Sequence, residues 1–237
     1  RVLSWIELRP AGEPNRTKPD GIAMSPINTT IAQRPYAVVA NEYANFASVI
    51  DTGTDRVLGE FKTGFYGEDV IFNAAGTRLY ITDRFGDQVH AFRIDPGPSF
   101  TELAAIATGM TDLDRTNPRA LSISADGKTL YVANTLGHTI GVINTATLKL
   151  DRSLIVGGLA TDVKTAGQWG FVSGQSSTNG LNQAETGNGM PKKVGENQFI
   201  KNNGTALPYL PVMSDTTRAT TFDDLGSDIK VFSTATD

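Results

Sequence analysis

Few side chains in this 237-residue chain could do chemistry, and they are scattered. Cysteine is absent, which removes disulfides, thiolate metal ligands, a Cys nucleophile and covalent haem attachment through C-x-x-C-H. The two histidines are His90, within "QVHAF", and His138, within "TLGHT". A metal site wants several imidazoles or carboxylates converging. One of these histidines sits in an alternating run and the other in a turn, so they are expected to point differently. Carboxylates are more numerous. "TDLDRTNP" sets Asp112, Asp114 and Asn117 on one loop, an oxygen-rich spacing open to Ca²⁺, though without the Gly and distal Glu of a full calcium loop. Asp223 and Asp224, with Asp215 and Asp228 near them, form a second acidic group. Ca²⁺ at these clusters is the metal the residues suggest, while solvated acidic loops are the favoured account of them. "SGQSSTNG" lacks the G-x-S-x-G spacing of a nucleophile elbow, and no phosphate-binding Gly loop precedes a helix.

Composition narrows the partners. The formal net charge is -4, and Lys192-Lys193 is the densest basic pair, which argues against nucleic acid or an anionic membrane as the main partner. The apolar runs are short, as in "YAVVA", far from the ~18 residues of a membrane span. With 24 Gly and 11 Pro, turns should be frequent and long helices few. Residue 1 is Arg rather than Met, so a processed form or a piece of something longer is expected, and the lack of cysteine fits export.

The elements that must hold these residues repeat. "RALSISADGKTLYVANTLGHTIGVINTAT" from Arg119 lines up with "EDVIFNAAGTRLYITDRFGDQVHAF" from Glu68. It also lines up with "DGIAMSPINTTIAQRPYAVVANEYANFASVIDTGTD" from Asp20 and "ATDVKTAGQWGFVSG" from Ala160. Apolar residues alternate in short runs, as at Leu121 and Ile123, Leu130 and Val132, Ile140 and Val142. Period two bounded by Gly, Asp and Asn predicts half-buried antiparallel strands. The "ADG" before Leu130 is a hairpin turn in which Gly127 can take positive φ, with Gly76 and Gly167 at the matching places. Asn41, Asp83, Asn134 and Gly174 match at the end of the second strand. A fourth strand follows in "RVLGEFKTG", "FTELAAIATG" and "DRSLIVGG". Four antiparallel strands at a spacing of about 45 residues predict an all-β propeller of four-stranded blades.

The stretch "DGKTLYVANTLGHTIGVINTAT" resembles the YVTN repeat of seven-bladed propellers in bacterial and archaeal envelope and surface proteins. Tyr131-Val132-Ala133-Asn134 fills the tetrapeptide that names that family, while "LYITD" and "AVVAN" are weaker copies. "GFVSG" departs most, losing the terminal Asn and the Leu before the aromatic. The resemblance implies an extracytoplasmic setting: periplasm, cell surface or secreted. Relatives of this type also resemble large subunits of quinone-cofactor amine dehydrogenases and occur joined to c-type cytochromes.

The repeats divide the chain at about residues 1–55, 56–98, 99–148 and 149–237, forming a single propeller domain or segment. Calling the strands of a blade A to D from the channel outward, the closing "SDIKVFSTATD" reads as strand C of the last blade, displaced by an insertion at 175–224. "RVLSWIEL" at the start resembles the strand D "RVLGEFKT", so Arg1–Leu8 could complete that last blade. Either a four-bladed ring closes this way, or the blades belong to a larger ring, which the resemblance favours.

The B–C and D–A connections share one face of such a disc, and the long ones all lie there: 9–19, 109–118 and 175–224. Loops presented by a rigid scaffold carry function, so this face is the expected site. Glu42, Tyr43, Arg84 and His138 fall on it, as do Tyr209, Leu210 and Met213 in the apolar half of the insertion. Asp20, Glu68 and Arg119 hold matching places where strand A leaves the D–A loop, with Leu159 in the fourth blade. Beside a hydrolase or lyase with a metal on the disc axis, for which only scattered Asp and His residues speak, two functions stand foremost. The first is a non-catalytic binding or scaffold module that uses this face to hold a protein or meets the remaining blades of a larger propeller. The second is a domain of an extracytoplasmic redox enzyme with its cofactor on another chain or segment.

Overall fold

A computed structural model describes residues 6–8, 18–111, 114–156, 159–167, 169–175 and 227–234. Among the described residues, fifteen strands form four antiparallel sheets. The first contains β1 (Lys18–Met24), β2 (Tyr36–Glu42), β3 (Phe46–Asp51) and β4 (Arg56–Lys62). The second contains β5 (Val70–Phe72), β6 (Arg78–Asp83), β7 (Gln88–Asp95) and β8 (Ser99–Ala107). The third contains β9 (Pro118–Ile123), β10 (Thr129–Asn134), β11 (Thr139–Asn144) and β12 (Lys149–Ile155), and the fourth β13 (Leu159–Ala166), β14 (Trp169–Gln175) and β15 (Ser227–Ser233). Strands are paired in sequence order within every sheet, the meander of a propeller blade. The all-β propeller architecture expected from the repeats is therefore present.

The second and third strands of the first three sheets are buried over most of their length, and all seven residues of β2 are buried. Burial on both faces follows from sheets stacked face to face, where each face is covered by a neighbour. Three apolar cores do this in succession. Val38, Ala40 and Val49 meet Leu79, Ile81 and Phe92 between the first and second sheets. Tyr80, Val89 and Ala91 meet Leu121, Leu130 and Val132 between the second and third. Tyr131, Ala133 and Val142 meet Ala160, Val163 and Val172 between the third and fourth. Among the described residues no core joins the fourth sheet to the first. The four sheets form an arc.

Polar ties cross the same seams. The innermost strand of each sheet has an unpaired edge, and its buried N–H groups need partners. Asp69 supplies one, its carboxylate accepting from the Leu121 amide of the next sheet at 2.8 Å. Ser122 and Thr165 bond at 2.9 Å across the following seam. At the first seam the backbones approach so closely that a Cβ on Gly21 would lie 2.5 Å from the Glu68 carbonyl. Only glycine fits there. The hairpin glycines Gly76, Gly127 and Gly167 have φ of 65°, 73° and 57°, as their turns require.

The ends of the chain illustrate what the repeat could and could not place. β15 pairs with β14 in the register Trp169↔Ser233 to Gln175↔Ser227, so the closing segment is the third strand of the last sheet despite the insertion. At the other end, residues 1–5 lie outside the described residues. Ile6 and Leu8 are not in a strand and pack on Ala37, Val39 and Ile50 of the first sheet. The described part of Arg1–Leu8 thus covers one face of the first sheet with two apolar side chains, which removes apolar surface from water. The expected pairing of this segment with the last blade falls on residues outside the described ones.

Candidate functional site

The loops of one face converge on Glu68. The segment 63–69 carries the chain from β4 to β5, and Thr82 pins it, accepting from the Glu68 and Asp69 amides at 3.3 and 2.9 Å. The Glu68 carboxylate is buried and receives two arginines, Arg84 at 3.2 Å on one oxygen and Arg119 on the other. Arg84 comes from the β6–β7 turn and Arg119 from the start of β9. Arg84 is fixed further by donating to Asn117 Oδ1 at 2.8 Å and by lying over the Tyr66 ring, 5.5 Å from its centre. Burial pushes the Glu68 carboxyl up, against the pull of Arg119 and Arg84.

A second ion pair adjoins the first. Lys18 at the start of β1 bonds to Glu42 at the end of β2. Burial alone would raise the Glu42 carboxyl, but Lys18 and the Tyr66 hydroxyl hold it below the usual range. Asp20 is raised instead, by burial and then by the charge of Glu42. The two carboxyls are thus shifted in opposite directions, Glu42 down and Asp20 up. A third pair sits in the next loop, where Asp87 accepts from the Thr116 and Asn117 amides at 2.8 Å each and faces Arg115 at 3.1 Å.

Aromatic rings cover this polar layer. Tyr66 meets Tyr43 edge-on at 4.9 Å and Phe85 at 4.6 Å, and Phe65 stacks on Phe85 at 6.3 Å. Tyr43, Phe65 and Phe85 are each more than half exposed. Single exposed apolar residues are ordinary; these three are contiguous around Tyr66.

Of the expected site residues, Tyr43, Arg84 and Glu42 come together here, with Glu42 buried beneath Lys18. His138 lies in the β10–β11 turn on the same face and is buried, with φ of 54°. Asp114 accepts from the Thr111 amide at 2.9 Å within its own turn. Asp112, Asp223, Asp224, Tyr209, Leu210 and Met213 lie outside the described residues. Among the described residues no three His, Asp or Glu side chains are grouped to hold a metal, and no helix is long and apolar enough to cross a membrane. His90 is buried in β7, 2.6 Å from Glu102 and 3.5 Å from Asp83. Burial would lower it, but Asp83 and Glu102 outweigh burial and hold it above its ordinary value.

Sequence reasoning passed over Phe65, Phe85 and Tyr66, although a signal existed. Tyr43, Phe85 and Leu136 each follow the matched Asn41, Asp83 and Asn134 by two residues, and Phe65 and Met110 each complete a Thr-Gly-apolar triplet. All five are more than half exposed.

An arc of antiparallel blades with one elaborated loop face defines a β-propeller. The family model described as lactonase, 7-bladed β-propeller, matches residues 60–181, and the chain belongs to that family. Among curated proteins none matches. Among solved structures, hydrazine synthase of Kuenenia stuttgartiensis is 21% identical with a TM-score of 0.56, over 84% of this chain and 51% of that one. A protein from Lactobacillus plantarum is 19% identical with a TM-score of 0.58, over 68% and 49%. Virginiamycin B lyase of Staphylococcus aureus is 14% identical with a TM-score of 0.51, over 83% and 56%. The chain thus spans about half the length of these structures, and at such identities the likeness concerns the fold.

Proposed function

We propose that the chain is a non-catalytic binding module that holds a protein on its loop-bearing face. The contiguous exposed cluster of Tyr43, Phe65 and Phe85 around Tyr66 carries this reading. Tyr, Phe and Arg are the residue types that supply binding energy at interfaces, because each buries a large area for few rotatable bonds. The polar groups below are committed to one another: Glu68 to two arginines, Glu42 to Lys18, Asp87 to backbone amides. That arrangement suits a platform. The YVTN-like repeats support an extracytoplasmic setting. The matched family and the open arc support a larger, seven-bladed ring, its further blades covering the apolar faces at either end.

Two measurements test the reading. Peptides selected from a random displayed library on the immobilised protein should lose binding when Phe65 and Phe85 are changed to Ser, and keep it when Leu103 on the outer strand β8 is changed instead. Selected peptides indifferent to Phe65 and Phe85 would overturn the face assignment. Lactone hydrolysis should be absent; turnover that disappears in Glu68→Gln would overturn the non-catalytic reading.

A further inference from the structure

The ion pairs of the loop-bearing face share an asymmetry. In each the cation is the more exposed partner and the carboxylate the more buried one. Lys18 is 61% exposed over Glu42 at 4%, and Arg115 is 81% exposed over Asp87 at 16%. Arg84 and Arg119 are likewise the outer members over Glu68. On the opposite face Arg93–Asp95 and Lys128–Asp126 expose both partners, while Arg34 is 58% exposed over Asp51 at 18%. The carboxylates of the loop face therefore lie in an inner layer and the guanidinium and ammonium groups in an outer one. A ligand at the surface meets the outer layer first, and distance and solvent weaken the field of the inner one. Among the described residues Asp20 and Asp114 are the exposed acids of this face; Asp20 has its carboxyl raised by burial and by Glu42.

The apolar groups are ordered as well. Tyr43, Phe85 and Leu136 occupy the same offset in the B–C turns of three successive blades. They make a row with one anchor per blade. Phe65 and Met110 repeat the pattern in the D–A loops. Cations flank the row: Lys18 beside the first anchor, Arg84 next to Phe85 in sequence, and Arg115 tied to Asp87 in the Phe85 turn.

We infer that the partner segment bound here is an acidic peptide with spaced apolar side chains, its Asp and Glu meeting the outer cations and its Phe, Leu or similar residues seated on the anchor row. This rests on the protein-binding reading above and specifies the partner's chemistry. Exposed aromatics beside cations also suit single-stranded nucleic acid. The peptide is favoured because the described cations of the face are paired with carboxylates below, Arg84 and Arg119 sharing Glu68, whereas a strand of phosphates needs a continuous groove of uncompensated charge.

The test uses three fluorescein-labelled probes read by anisotropy. One peptide alternates Phe or Leu with pairs of Glu, the second replaces every Glu by Lys, and the third probe is oligothymidylate. The acidic peptide should bind, and should weaken about tenfold in Phe85→Ser and severalfold in Arg115→Glu. Raising salt should weaken it further, while Leu103→Ser should leave it unchanged. All three substitutions are at exposed positions, so the fold is kept and a melting curve verifies it. Equal or tighter binding of the Lys peptide through Phe85 overturns the acidic assignment while leaving the protein-binding reading intact. Oligothymidylate displacing the acidic peptide at lower concentration overturns it in favour of nucleic acid. No binding by the acidic peptide also overturns it, and the library selection then decides the broader reading on its own.

Discussion

His90 shows how a residue that catches the eye in sequence can be structural. Its imidazole lies between the carboxylates of Asp83 and Glu102, stacked near Phe92 at 6.4 Å. Asp83 also accepts from the Gly86 amide at 3.0 Å in the turn that carries Arg84 and Phe85. The charged form is favoured in the fold, so its pKa lies above the ordinary 6.5. By linkage, a raised histidine contributes stability that is fully present below 6.5 and is lost as pH rises through the folded value. His90→Gln should therefore cost about 1–3 kcal/mol in mildly acidic solution and less in alkaline solution. Urea midpoints of both proteins on the two sides of neutrality check this; a cost that grows with pH refutes it. Asp83 is shifted down, since His90 and the Gly86 amide outweigh burial, so its contribution holds at neutral pH and fades in acid below 3.8.

At the scale of the element, the strand–turn unit explains both what was legible and what was not. Alternation and Gly/Asp turns announce local pairing, which is why every blade, and even β15 beyond its insertion, can be read from letters. The matched Asn41, Asp83 and Asn134 have a visible purpose: Asn41 donates to Ser48 at 3.1 Å and Asn134 to Thr139 at 3.2 Å, tying strand B to the following strand. Contacts between units leave no such period. The convergence of Arg84 and Arg119 on Glu68 depends on how two blades are set against each other, and strand patterning does not encode that. The seating of Ile6 and Leu8 on the first sheet is likewise a contact that strand patterning does not encode. Gly21 belongs to this hidden class, since nothing in "PDGIAM" marks it as the point where two backbones touch. Gly21→Ala places a Cβ 2.8 Å from the Asp69 Cα, and overpacking against main chain should destabilise by about 1–3 kcal/mol. Gly59→Ala has open space at its Cβ and should cost well under half of that, so the pair of denaturation curves isolates the clash.

For the whole molecule the arc matters most. Three seams are filled by apolar cores, while the outer faces of the end sheets show Ile22 and Met24 on one side and Trp169 and Phe171 on the other, all exposed. Exposed apolar faces of this kind favour association. At rising concentration the chain should self-associate in sedimentation velocity, and Trp169→Glu with Phe171→Glu should reduce this without lowering the melting temperature; unchanged sedimentation in that variant contradicts the view of these faces as seams. The layered charges of the loop face carry a separate consequence. Cations raised above carboxylates give that face a local dipole along the disc axis, whatever the net charge. Such a molecule turns before it touches: in the field of an acidic neighbour it arrives loops first, and the fraction of collisions that can lead to docking rises accordingly. A chain that is anionic in sum should for the same reason be retained on a cation-exchange surface at low salt, held by one face.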